Sequence, residues 1–150
     1  MSTPPTVDDY PVQVGQQVRW SDVDMYGHVN NIVYYGWFDT AINTWLQAEA
    51  GVEPVSADAI GVVGESACSY ENEVGLGDEV TIGLAVREVG RSSITYALAA
   101  FVDGRRAALG HWVHVYVARD GSGVTRVPAR IAGVAESARA DVPVVTLRKL

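Results

Sequence analysis

The chain has one cysteine, Cys68, among 150 residues, which excludes an internal disulfide framework. Basic residues are also scarce: 11 Lys and Arg stand against 18 Asp and Glu, for a net charge of −7. They form no stripe beyond the pair Arg105 and Arg106, so a nucleic-acid-binding surface is not expected. A long uninterrupted apolar run is missing too, because the longest, Ile32 to Leu46, is broken by Asp39, Thr40, Asn43 and Thr44. The N-terminus has neither a basic start nor an apolar stretch, so no signal peptide is expected. Together these absences lead to the expectation of a soluble, cytoplasmic protein without membrane insertion.

Other absences narrow the chemistry. No G-x-S-x-G elbow occurs, since Gly64-Glu65-Ser66-Ala67-Cys68 lacks the second glycine, and a serine hydrolase is disfavoured. Cys68 lies in a strand-like segment and reads as a small core residue rather than a nucleophile. His111 and His114, three apart on a strand, face opposite sides and cannot chelate one ion together, so no metal is expected. There is no solenoid repeat and no shift of composition. One domain over residues 10–150 is expected after a loose tail, Met1 to Asp9, which carries Pro4 and Pro5 and no apolar period.

What is present reads as one long helix followed by a sheet. A strand is expected from Val12 to about Asp22, with Val12, Val14, Val18 and Trp20 on one face. A helix should begin at Asn30 or Asn31 and stop at Gly51, with a narrow polar stripe of Thr40, Asn43, Thr44 and Gln47. Such a helix needs burial on most sides. Alternation then predicts strands over Glu79–Val89 and Ser92–Val102 and through Val113, Val115 and Val117, with a short helix near Pro128–Ala138. The fold class is α+β.

The segment RWSDVDMYGHVNN, residues 19–31, brings a carboxylate to the mouth of the long helix. Asp24 could take a proton from water or attack a substrate carbon directly, and the free N–H groups of the helix start could hold an oxyanion. Asp or Asn at that place could equally be a simple helix cap. Asp22, Asp24, Gly27, His28, Val29, Asn30 and Asn31, followed by Tyr34 and Tyr35, resemble the start of the hotdog-fold acyl-CoA thioesterases, in particular the 4-hydroxybenzoyl-CoA thioesterase family. The later segments GVVGESACSY (61–70), GRSS (90–93) and HWVHVYV (111–117) fit the same order, so the resemblance spans roughly residues 12 to 130.

The resemblance implies a hotdog fold, in which an antiparallel sheet wraps a long central helix, and hydrolysis of an acyl-CoA to free acid and CoA. It favours Asp24 over Asp22 as the catalytic acid, either general base or nucleophile, and leaves Asp22 a hydrogen-bonding role in the loop. The oxyanion donor would be the backbone N–H of Asn31 or its neighbour. Asn30 would cap the helix and Gly27 would let the chain turn. His28 could orient water or thioester, or only hydrogen-bond within the loop. Tyr26, Tyr34 and Trp37 are candidates for an apolar acyl pocket or for the core, and Ser66 and Glu65 for its wall.

Arg91, Ser92 and Ser93, in the turn after Gly90, and Arg126 are candidates for the CoA phosphates, although an ordinary hairpin turn would look the same. Three acids in Tyr70 to Asp78 (YENEVGLGD) depart from the basic or aromatic edge expected there. No cofactor is expected, coenzyme A being part of the substrate. Sites between subunits and open sheet edges imply a homodimer, and dimers can pair again into a tetramer. Two alternatives remain open: a hydratase or dehydratase in which an Asp and a His act together, and a noncatalytic acyl-CoA-binding regulatory dimer.

Overall fold

In the computed structural model, residues 5–148 are described. Five strands make one antiparallel sheet in the order β1-β3-β4-β5-β2, and a 20-residue helix lies across one face. The elements are β1 (Val12–Gln17), α1 (Asn31–Ala50), β2 (Ala59–Tyr70), β3 (Glu79–Val89), β4 (Ser93–Val102), β5 (Arg105–Ala118) and α2 (Ala129–Ser137). This is the α+β arrangement expected of a hotdog fold.

Two-residue periodicity sets the layers. Ile94, Tyr96, Leu98 and Ala100 of β4 face the helix and are buried, as are Ala108, Trp112, His114 and Tyr116 of β5. Phe38, fully buried, packs edge-on against Trp112 with ring centroids 5.8 Å apart. It also rests on Gly110, where a Cβ would come within 2.6 Å of the ring, so the glycine lets helix and sheet approach. Burying a side chain of this size is worth roughly 1.5 to 3 kcal/mol. The expected stripe of Thr40, Asn43, Thr44 and Gln47 is exposed on α1, but the exposed face is wider than expected and also takes in Ile32, Gly36, Ala48 and Glu49; the helix ends at Gly51 in a left-handed cap, φ 61°.

The other face of the sheet has its own cluster of Ala97, Ala99, Phe101 and Leu109, covered by Tyr10 and by Val142 and Val145 of the C-terminal segment. No pattern in the sequence announces that cover. Of the expected tail, residues 1–4 lie outside the described residues, whereas Val7–Asp9 form a 3-10 turn and Val7 joins this cluster.

The first strand is shorter than its pattern suggests. It ends at Gln17, and Trp20–Asp22 form a 3-10 turn that leaves Trp20 83% exposed instead of on the core face. The cause is local: Asp22 Oδ2 accepts the Arg19 N–H at 2.8 Å, and Oδ1 pairs with the Arg19 guanidinium at 2.9 Å. Those bonds close a turn that alternation of apolar residues cannot detect.

Among the described residues no helix is long and apolar enough to cross a membrane.

Candidate active site

Between β1 and α1 the chain makes a small hairpin that fixes Asp24. Val23 bridges Val29, the Asp24 N–H donates to the His28 carbonyl at 2.9 Å, and the Gly27 N–H donates to the Asp24 carbonyl at 3.0 Å. Gly27 has φ 81°, the left-handed position such a three-residue loop requires. Asp24 Oδ1 accepts the Tyr26 N–H at 2.9 Å and the His28 N–H at 3.3 Å. Asp24 therefore caps its own turn, and Oδ2 has no protein partner among the described residues.

The helix cap belongs to Asn30. Its side chain accepts the Ile32 N–H at 3.2 Å and its carbonyl accepts the Val33 N–H at 2.9 Å. The Asn31 N–H then has no acceptor among the described residues, at the positive end of the α1 dipole. Asp22 is buried and holds the approach to the hairpin, its carbonyl accepting the Asn30 N–H at 2.9 Å. Burial alone would raise the Asp22 pKa, but its bonds to the Arg19 side chain and main chain outweigh that and hold it below the usual carboxylate range.

Asp24, His28, Asn31 and Tyr34 line a cleft of about 450 Å³. Its opposite wall is Tyr70 to Val74, brought in by the Val29 N–H, which donates to the Val74 carbonyl at 2.7 Å, and by the bridge between His28 and Gly75. The Tyr70 hydroxyl donates to the Asn31 carbonyl at 3.0 Å. Burial, and then the nearby Cys68 and Tyr35, raise the Tyr70 pKa, so the hydroxyl stays a donor.

The acids of residues 70–78 are matched locally. Glu71 binds Arg106 through both oxygens, at 2.6 and 2.9 Å; Glu73 pairs with His28 Nε2 at 3.1 Å; Asp78 accepts the Gly75 N–H at 2.8 Å. His28 is thus turned to Glu73 and touches Asp24 through its backbone alone. The cleft is thus lined by a residue with an unengaged carboxylate oxygen, Asp24, and one with a free amide N–H, Asn31, the two kinds of group that acyl hydrolysis requires.

The sequence profile of the thioesterase-like superfamily matches residues 18–148. The chain belongs to that superfamily. The PA5185 protein of Pseudomonas aeruginosa strain PAO1 superposes with a TM-score of 0.87 at 35% identity, over 94% of this chain and 100% of that one. A thioesterase of Thermus thermophilus, solved with coenzyme A and Zn, has a TM-score of 0.73 at 29% identity, over 84% of this chain and 98% of that one. The PA2801 protein of Pseudomonas aeruginosa has a TM-score of 0.75 at 27% identity, covering 81% and 95%. No curated protein sequence matches the chain at a significant level. The fold is the hotdog fold of this superfamily.

The remaining candidates of this thioesterase-like chain lie elsewhere. Tyr26 is at the hairpin tip, 76% exposed, and only its N–H meets Asp24. Ser66 stands opposite Trp112 on the helix-facing side of β2 and is exposed, while Glu65 faces the other way and pairs with His111 at 2.6 Å. Trp37 is core. Arg91 and Arg126 are brought together, the Val127 N–H donating to the Arg91 carbonyl at 2.8 Å. They lie with Ser92 and Ser93 at the far end of β3 from the hairpin, about 35 Å along its 11 residues.

Burial pushes the Cys68 thiol up to about 11, outweighing the opposite influence of the nearby Tyr70 and Tyr35 hydroxyls, so it is no nucleophile near neutral pH. Among the described residues no group of three or more His, Cys, Asp and Glu converges to hold an ion. The cleft wall of Tyr70 to Val74 carries no local signal of its place in the site; in the sequence its acids stand out only as a departure from pattern.

Proposed function

We propose that the protein is an acyl-CoA thioesterase acting as a homodimer, with Asp24 as general base or nucleophile and the Asn31 N–H as oxyanion donor. One observation carries this reading: Asp24, whose Oδ2 is unengaged, and Asn31, whose N–H is free, line the same cleft. As a base, Asp24 takes a proton from water while the water oxygen bonds to the thioester carbon. The carbonyl oxygen gains charge against the Asn31 N–H, and the C–S bond then breaks to release CoA thiolate, which takes up a proton. The nucleophilic route forms an acyl anhydride on Asp24 that water opens.

The Thermus relative solved with coenzyme A supports CoA as the leaving group. The β2 edge supports the dimer: it is 12 residues long, unpaired on one side, with Val62 and Val63 40% and 47% exposed. Antiparallel pairing of two such edges turns the Arg91 and Arg126 end of one copy toward the Asp24 end of the other. From there these arginines serve the partner's CoA. A CoA thioester as substrate fits a cytoplasmic enzyme.

The pairing of His28 with Glu73 counts against a hydratase in which Asp24 and His28 act as a couple. The test is release of free thiol from a panel of short, long, branched and aromatic acyl-CoAs. Turnover of one class supports the reading, and binding without turnover of any member overturns it in favour of a noncatalytic acyl-CoA-binding dimer.

A further inference from the structure

Tyr70 is the last residue of β2 and the point where the sheet reaches the start of α1. Its hydroxyl donates to the Asn31 carbonyl at 3.0 Å, and its ring meets the Tyr34 ring edge-on with centroids 5.3 Å apart. It therefore grips the first turn of α1 at both ends.

The sheet side of this contact is firmly held. Tyr70 pairs with Ala108 of β5, and the Glu71 and Asn72 N–H groups both donate to the Ala107 carbonyl, at 2.8 and 3.2 Å. Asn72 Nδ2 donates to the Arg106 carbonyl at 2.7 Å, and Glu71 binds the Arg106 guanidinium. The helix side is the loose one. The N–H groups of a first turn have no intrahelical acceptors and helix ends fray, and here Asn30 takes only those of Ile32 and Val33. The Asn31 N–H stands before them without an acceptor among the described residues.

We propose that Tyr70 is a positioning residue: its hydroxyl ties the first turn of α1 to the end of the sheet and so fixes where the Asn31 N–H points. The inference rests on the thioesterase reading and adds to it a side chain that acts through Asn31 rather than on the substrate. An oxyanion donor works when it lies about 3 Å from the place where the charge develops, a tolerance that a fraying turn does not keep. A carbonyl has a second lone pair beyond the one used in the helix, so the contact leaves α1 intact. Burial, and then the nearby Cys68 and Tyr35, hold the hydroxyl protonated well above neutral pH, so it keeps donating. Tyr70 is 44% exposed, so water competes for the contact and the effect is one of degree.

The experiment compares the wild type with Tyr70→Phe, which keeps the ring against Tyr34 and removes the hydroxyl alone. Steady-state kinetics are measured on the two acyl-CoAs that the wild type hydrolyses fastest, between about pH 6 and pH 9. Tyr70→Phe is expected to lose about tenfold in kcat, with KM within about threefold and the same loss on both substrates and at every pH. A kcat loss below about threefold, or a loss carried by KM, overturns the proposal and leaves the thioesterase reading standing. So does a loss confined to one substrate, which puts the hydroxyl on the acyl group, or one that varies with pH, which makes it an acid or base. No turnover of any acyl-CoA by the wild type overturns both.

Amide hydrogen exchange reads the same contact without turnover. In Tyr70→Phe the Ile32 and Val33 N–H groups should exchange at least about fivefold faster, while the amides of β4 keep their wild-type rates. Unchanged exchange at Ile32 and Val33 shows that the hydroxyl does not hold the turn and overturns the proposal. Faster exchange throughout the sheet shows a general loss of stability in its place and overturns it as well.

Discussion

His28 Nε2 lies 3.1 Å from Glu73 Oε2 at the mouth of the Asp24 cleft, joining the hairpin before α1 to the segment after β2. The pair gives the histidine a partner other than Asp24. Both side chains are substantially exposed, 43% and 75%, so the contact is a weak one that closes a wall of the cleft.

A positioning role predicts a mild phenotype. His28→Gln should keep kcat within about tenfold of the wild type and act mainly on KM. Steady-state kinetics on the best substrate of the panel decide this, and a loss of kcat as large as that of Asp24→Asn would return His28 to the chemistry.

Gly27 has nothing within 4 Å of the place where a Cβ would stand, so its requirement is purely one of backbone, φ 81°. Gly27→Ala should destabilise the fold by about 1 to 2 kcal/mol, the cost of a left-handed conformation for an L-residue. Because this turn also presents Asp24, kcat should fall as well. Urea unfolding beside kinetics measures both, and an unchanged midpoint would contradict the turn assignment.

At Gly110 the requirement is space, since a Cβ would meet the Phe38 ring at 2.6 Å. Gly110→Val should destabilise by about 1 to 3 kcal/mol through overpacking between helix and sheet. Combining it with Phe38→Leu should recover part of that loss, because the ring edge that clashes is gone. A double-mutant cycle on the unfolding midpoints provides the check.

His114 predicts the sign of a pH effect. Its folded pKa is depressed below the ordinary value of 6.5 by burial, so below that pH the unfolded chain binds the proton more readily than the folded one. Its contribution is fully present above 6.5 and is lost progressively as pH falls toward the folded pKa. Unfolding free energies at pH 7.5 and pH 5 should therefore differ less in His114→Leu than in the wild type, and an equal difference would contradict a neutral buried ring.

Elements with strong internal rhythm were legible in the sequence. The limits of β3 follow from Val80, Ile82, Leu84 and Val86, and the end of α1 from Gly51. Trp20 misled because apolar alternation continued past Gln17, while hydrogen bonds between Asp22 and Arg19 had already turned the chain. At the site, local residues were legible and distant ones were not. Asp24, Asn30 and Asn31 are set by turn and cap chemistry written within a few positions. Tyr70 to Val74 reach the cleft only because Val29 pairs with Val74 across the intervening helix and strand, and no local pattern encodes that meeting. The cover of Val142 and Val145 over the outer face was invisible for the same reason.

The central claim is that Asp24 does the chemistry. The most direct measurement is the single-turnover rate of thioester cleavage by the wild type and Asp24→Asn, on the acyl-CoA the wild type turns over fastest. The Asn side chain can still accept the Tyr26 and His28 N–H bonds, so the hairpin and the fold should persist. The account predicts a rate lower by about a hundredfold or more with substrate binding retained. A well-folded Asp24→Asn protein that cleaves the thioester at the wild-type rate would contradict it.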